Sequence, residues 1–165
     1  MRKTFLLLLL TSVGVAKAQK TPGIYGENNW FNGWTSFKPK TADYAPATQI
    51  LTGVIKENTT LSKRNTYLLM GTVYVPSGVT LTIEPGTVVR GDSDSTGTLT
   101  VVKGGKIIAE GTETDPIVFT SNKSASDRKA GDWGGIIIYG DAPLNRHGGL
   151  ISSIYDTNPL YNVFG

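Results

Sequence analysis

The chain contains no cysteine. That excludes disulfides, thiolate metal sites and a lipid anchor on an N-terminal cysteine, so stability must come from burial and hydrogen bonds. It has a single histidine, His147, which is too few for a histidine metal site. No Gly-x-Ser-x-Gly elbow is present to pair that histidine with a nucleophile. His147 sits among Arg146, Gly148 and Gly149 and reads as a surface residue. The apolar run Phe5–Leu10 falls far short of the roughly 18 residues needed to cross a bilayer. No basic patch argues for nucleic acid, and no lysine-rich amphipathic stretch argues for a membrane surface. Beyond residue 18, no segment keeps a helical period.

What is present begins with an export signal. Arg2 and Lys3 are followed by Phe5–Leu10 and then by Ala16-Lys17-Ala18, a small-x-small cleavage pattern. Residues 1–18 are therefore expected to be a signal peptide, with a mature chain starting at Gln19. Export to the cell surface or the medium is the expected address, with no membrane insertion after cleavage. The formal net charge of +3 belongs to this leader. Without Arg2, Lys3 and Lys17, thirteen basic residues face thirteen acidic ones.

The mature chain says nearly the same thing twice. It reads GTVYVPSGVTLTIEPGTVVRG from Gly71 and GTLTVVKGGKIIAEGTETDPIVFTS from Gly97, an offset of 26 residues. Self-similarity at such a period marks stacked coils. Val79, Leu81 and Ile83 share one strand face, and Thr80 and Thr82 share the other. Ile107 and Ala109 point inward by the same logic. Trp133–Gly140 reads as a third rung. Strands this short, separated by glycine corners rather than Asn-Gly hairpin loops, suit a parallel β-helix. The alternative is an antiparallel β-sandwich. Residues 19–52 read as an irregular leader, 53–145 as coils, and 146–165 as a loop that stops before further coils.

Three blocks resemble a known family: LLMGTVYVPSGVTLTIEPGTVVRGD, GTLTVVKGGKIIAEGTETDPIVFTS and DRKAGDWGGIIIYGDAPLN. They are similar to secreted right-handed β-helix surface proteins of Bacteroidetes, which often carry a type IX secretion tail. The resemblance implies an all-β, right-handed parallel β-helix and an exported location. It implies no activity. Such proteins continue for more coils, so the chain is expected to be an N-terminal fragment.

The candidate site residues each have a structural reading. Asp92, Asp94 and Thr96 place oxygen ligands at alternating positions ahead of Gly97, as a calcium loop begins. The twelfth position is Lys103 rather than glutamate, so an EF-hand is excluded. No cofactor is predicted; if calcium binds, these three residues are where it would. Asp94-Ser95-Thr96 also fits a short O-glycosylation pattern, and Asn58 and Asn122 head N-glycosylation sequons. Ser126 and Lys129 have serine-x-x-lysine spacing without the companion motifs that chemistry requires. Trp30, Phe31 and Trp34 are expected to cap the open first coil, and Trp133 to pack at a rung edge. Thr80 with Thr82 and Thr98 with Thr100 are read as outward pairs, favoured there by strand propensity. Asp127, Arg128 and Asp132 form a charged loop cluster.

No catalytic residue is predicted. The expected function is an exported, non-catalytic scaffold or adhesin-like module, with glycans or other cell-surface components as partners. The rival is the N-terminal part of a polysaccharide lyase or glycoside hydrolase whose active residues lie in later coils.

Overall fold

Nine short strands run between residues 49 and 138: β1 (Gln49–Val54), β2 (Thr59–Leu61), β3 (Thr66–Val75), β4 (Thr80–Ile83), β5 (Val88–Gly91), β6 (Thr98–Val101), β7 (Lys106–Ala109), β8 (Val118–Ser121) and β9 (Gly135–Ile138). The computed structural model describes residues 39–142, 151–152, 158, 161 and 163–164. The expected signal peptide, the Trp30, Phe31 and Trp34 cap and His147 lie outside the described residues.

Every pairing among these nine strands is parallel. An antiparallel sandwich is therefore ruled out, and the chain is a parallel β-helix. Each coil has three faces. The first stacks 49–51, 66–69, β5 and β8; the second stacks 53–54, 72–75, β6 and β9. The third stacks β2, β4 and β7. The sequence repeat is visible in the register: Thr98 lies over Thr72, and Ala109 over Ile83. A short antiparallel pair, β10 (Ile151–Ser152) with β11 (Val163–Phe164), lies outside this stack.

β1 begins at Gln49, inside the stretch 19–52 expected to be irregular, and four residues before the apolar Gly53-Val54-Ile55. Ile50 registers with Leu68 and then Arg90, in the column that points away from the core, so it is an exposed apolar residue in a strand and the stretch carries no inward alternation to read. β3 spans two faces. It turns between them at Gly71, whose φ of +63° is open to glycine at no steric cost. Gly53, the first residue after the corner of the first coil, has the same conformation.

The core is the column of inward residues: Leu61, Tyr67, Leu69, Val73, Val75, Leu81, Ile83, Val89, Leu99 and Val101. Alternation with period two puts these inside because neighbouring strand residues point to opposite sheet faces. Successive coils lie about 4.8 Å apart, so each inward side chain packs on its counterpart one coil away. Ala109 stacks on the buried Ile83 and so points inward as expected. It is exposed because no strand lies above β7 among the described residues.

Thr98 and Thr100 depart from expectation. The departure is in exposure: they alternate with the inward Leu99 and Val101 and so lie on the opposite face, yet both are buried and present no array to solvent. Thr98 sits beneath Gly134, where a Cβ would lie 1.8 Å from the Thr98 hydroxyl oxygen. Thr100 shares its column with Tyr74, whose ring meets Tyr161 at a centroid distance of 4.6 Å.

Candidate functional site

The corner between the first and second faces lengthens from coil to coil. It is Thr52 in the first coil, Met70 and Gly71 in the second, residues 92–97 in the third and residues 122–134 in the fourth. The corner between the second and third faces keeps one length: 55–58, 76–79 and 102–105. Variable loops on a fixed scaffold are where binding groups usually sit. The Asp92–Thr96 run and the Asp127–Asp132 cluster both fall on this one corner, in successive coils.

Asp92 is the hub of the lower loop. Its Oδ2 accepts from the Ser95 N–H (2.9 Å) and hydroxyl (2.5 Å), and its Oδ1 accepts from Asn122 Nδ2 (2.6 Å). Asn122 Oδ1 accepts in turn from the Ser93 N–H at 3.0 Å. The Ser95 hydroxyl oxygen also receives the Gly71 N–H at 2.9 Å. These bonds tie the corners of three successive coils together. The Ser95 donors, ahead of Asn122, hold the Asp92 carboxyl below its ordinary range, because each favours the charged form.

This geometry sorts several sequence candidates. Both oxygens of Asp92 face donors rather than an open cavity, while Asp94 and Thr96 are exposed at the loop tip. Among the described residues, no three Asp, Glu or His side chains converge on a metal-sized site. The Ser95 hydroxyl and the Asn122 amide nitrogen, the acceptor atoms of two glycosylation patterns, are occupied by internal bonds. Asn58 is exposed, and its Oδ1 caps the Thr80 N–H at 2.8 Å.

The upper loop is built by its own charges. Asp132 is buried and accepts from the Lys129 N–H (2.8 Å) and Lys123 Nζ (3.0 Å). The Lys129 amide is the main reason its carboxyl titrates below the ordinary range, ahead of Lys123 and Ser121. The Ser124 hydroxyl donates to Asp127. Arg128 is buried, its Nε on the Lys123 carbonyl (3.1 Å) and its Nη1 on the Ala42 carbonyl (2.6 Å), and its guanidinium lies 5.1 Å from the Tyr44 ring centroid. Ser126 lies in a turn and gives its N–H to the Lys40 carbonyl, and Lys129 is in irregular chain. Serine and lysine therefore do not share a helical turn.

Trp133 closes the loop. It packs on the core cluster and lies flat over Gly91, where a Cβ would come within 2.4 Å of the indole. The rung-edge packing expected from sequence is what the geometry gives.

One residue went unnoticed in the sequence. Arg90 points away from the core between Val89 and Gly91 and is nonetheless buried. It donates to five main-chain carbonyls, those of Ser121 (3.4 Å), Asn122 (2.7 Å), Lys123 (3.1 Å), Tyr44 (3.4 Å) and Ala45 (3.1 Å). Burial, then the nearby Arg128, lowers its pKa from the ordinary value. The available signal was a lone charge inside the apolar text Thr87-Val88-Val89-Arg90-Gly91.

A pectate-lyase like beta helix domain matches residues 53–158, most of the chain. The chain belongs to this family. The match starts within β1 and runs past β9, so it covers the coils and both stacked loops. No curated protein and no solved structure matches the chain. The pectate-lyase-like fold alone does not assign an activity, because function resides in sites built on a fold.

Proposed function

We propose that this pectate-lyase-like domain is an exported, non-catalytic scaffold with adhesin-like binding to glycans or other cell-surface components. One observation carries the reading: the buried and half-buried charged groups around the elaborated corner, among the described residues, are committed to holding loops. Asp92, Asp132, Arg90 and Arg128 are engaged by amides, hydroxyls or carbonyls at bonding distance. A general acid or base must instead reach a substrate proton. The N-terminal pattern at residues 1–18 supports export, and the three-block resemblance supports a type IX secretion cargo of Bacteroidetes.

The rival reading is a carbohydrate-active enzyme whose active residues lie outside the described coils. The family match favours it, since the family is described as pectate-lyase like. A glycan array run beside a reducing-sugar and unsaturated-product assay separates the two. The protein should be recovered from the cell surface or medium, starting at Gln19. Binding without product release is the expected outcome. Product release, or retention of the protein inside the cell, overturns the proposal.

A further inference from the structure

We propose that residues 40–45 form a latch that joins the fourth coil directly to the first, and that Arg90 and Arg128 are its pins. In a solenoid each coil touches only its neighbours, so a change at one end reaches the other by passing through the coils between. The segment ahead of β1 breaks that rule. It descends across the outside of the first face. Its Lys40 carbonyl receives the Ser126 N–H at 2.6 Å, in the fourth coil's corner loop. Its Ala42 carbonyl receives Arg128 Nη1, also from that loop. The Tyr44 and Ala45 carbonyls receive Arg90 Nη1, from the third coil. The Thr48 N–H then reaches the Thr66 carbonyl in the second coil at 2.8 Å, and the chain enters β1 in the first.

The pins suit this task. A guanidinium presents donors in a rigid planar fork, and Arg90 uses them on two segments at once: 44–45 on one side, 121–123 on the other. All of its bonds go to main-chain carbonyls, so the contact holds the path of the chain rather than particular side chains. Arg128 does the same from the loop, reaching the Lys123 and Ala42 carbonyls and facing the Tyr44 ring. A lysine keeps the charge but cannot span both segments.

The latch predicts coupling that skips the middle of the molecule. In R128K, native-state hydrogen exchange should quicken about tenfold at the amides of Gln49–Leu51 and at Thr48 and Ser126. Exchange at β4 and β7, in the second and third coils, should stay within about twofold of the parent. Limited proteolysis within residues 40–45 should rise in step with the β1 change. Unaltered exchange at β1 overturns the proposal. So does a graded loss that passes from the third coil to the second to the first, which is nearest-neighbour behaviour. If R128K does not fold, R90K carries the same readings at the same amides and is judged by the same outcomes.

Discussion

Gly91 shows how one residue without a side chain determines what can lie above it. Its φ is not in the left-handed region; the requirement is the Trp133 indole seated on its Cα. Gly91→Ala should cost about 1–3 kcal/mol, the usual range for forcing atoms into a packed site. Chemical denaturation followed by tryptophan fluorescence would measure this, and an unchanged midpoint would show that the indole does not rest there. Asp92 makes a second residue-scale case. Its carboxyl is held below the ordinary range by Ser95 and then Asn122. A carboxylate with a depressed folded pKa stabilises the fold above its unfolded value of about 3.9 and loses that contribution as pH falls through the folded one. The stability gap between the parent and Asp92→Asn should therefore be full at neutral pH and shrink below about pH 4. A gap that widens in acid would contradict the assignment. The oxygen-rich spacing of Asp92, Asp94 and Thr96 was legible in the sequence. Asn122 lies thirty residues away, and only the stacking of coils brings it to Asp92.

Strand elements were the easiest part to read. β4 and β7 alternate with period two in sequence, and Leu81, Ile83 and Ile107 were assigned to the inward face from the pattern alone. The reason is physical: a strand with one buried face must place apolar residues at every second position. Corners were read less well. The 26-residue offset holds on the second and third faces between the second and third coils. On the first face the spacings differ, because the turn of chain from β3 to β5 passes the short corner 70–71, whereas that from β5 to β8 passes the longer corners 92–97 and 110–117. Thr98 and Thr100 illustrate the limit. Alternation put them outside, but residues contributed by other elements cover them. Arg90 is the same effect with a charge, since nothing local says that residues 40–45 will lie across it.

At the scale of the whole molecule, the position of a coil in the stack decides how much its core residues matter. Leu99 and Ile136 occupy one inward column, as do Val101 and Ile138. Leu99 is 1 % exposed and Val101 2 %, whereas Ile136 is 40 % and Ile138 62 % exposed. Leu99→Ala should cost about 2–5 kcal/mol, as for a filled core site. Ile138→Ala should change stability by about 0.5 kcal/mol or less, as for a surface residue. Thermal or urea unfolding of the two variants compares them directly, and equal losses would mean that the upper rung is covered. The latch belongs to this scale as well, since it links coils that are not neighbours.

The sequence by itself determined the architecture: a two-residue period, a repeat, and glycine where the chain must turn. Each of these acts over a few neighbouring residues, so it is written locally. The tertiary structure alone decided which corner is elaborated, that the third and fourth coils share a polar hub through Asp92 and Asn122, and that Arg90 and Arg128 are buried on main-chain carbonyls. Those outcomes depend on stacking, which brings together residues far apart in the chain and covers positions that local alternation assigns to water.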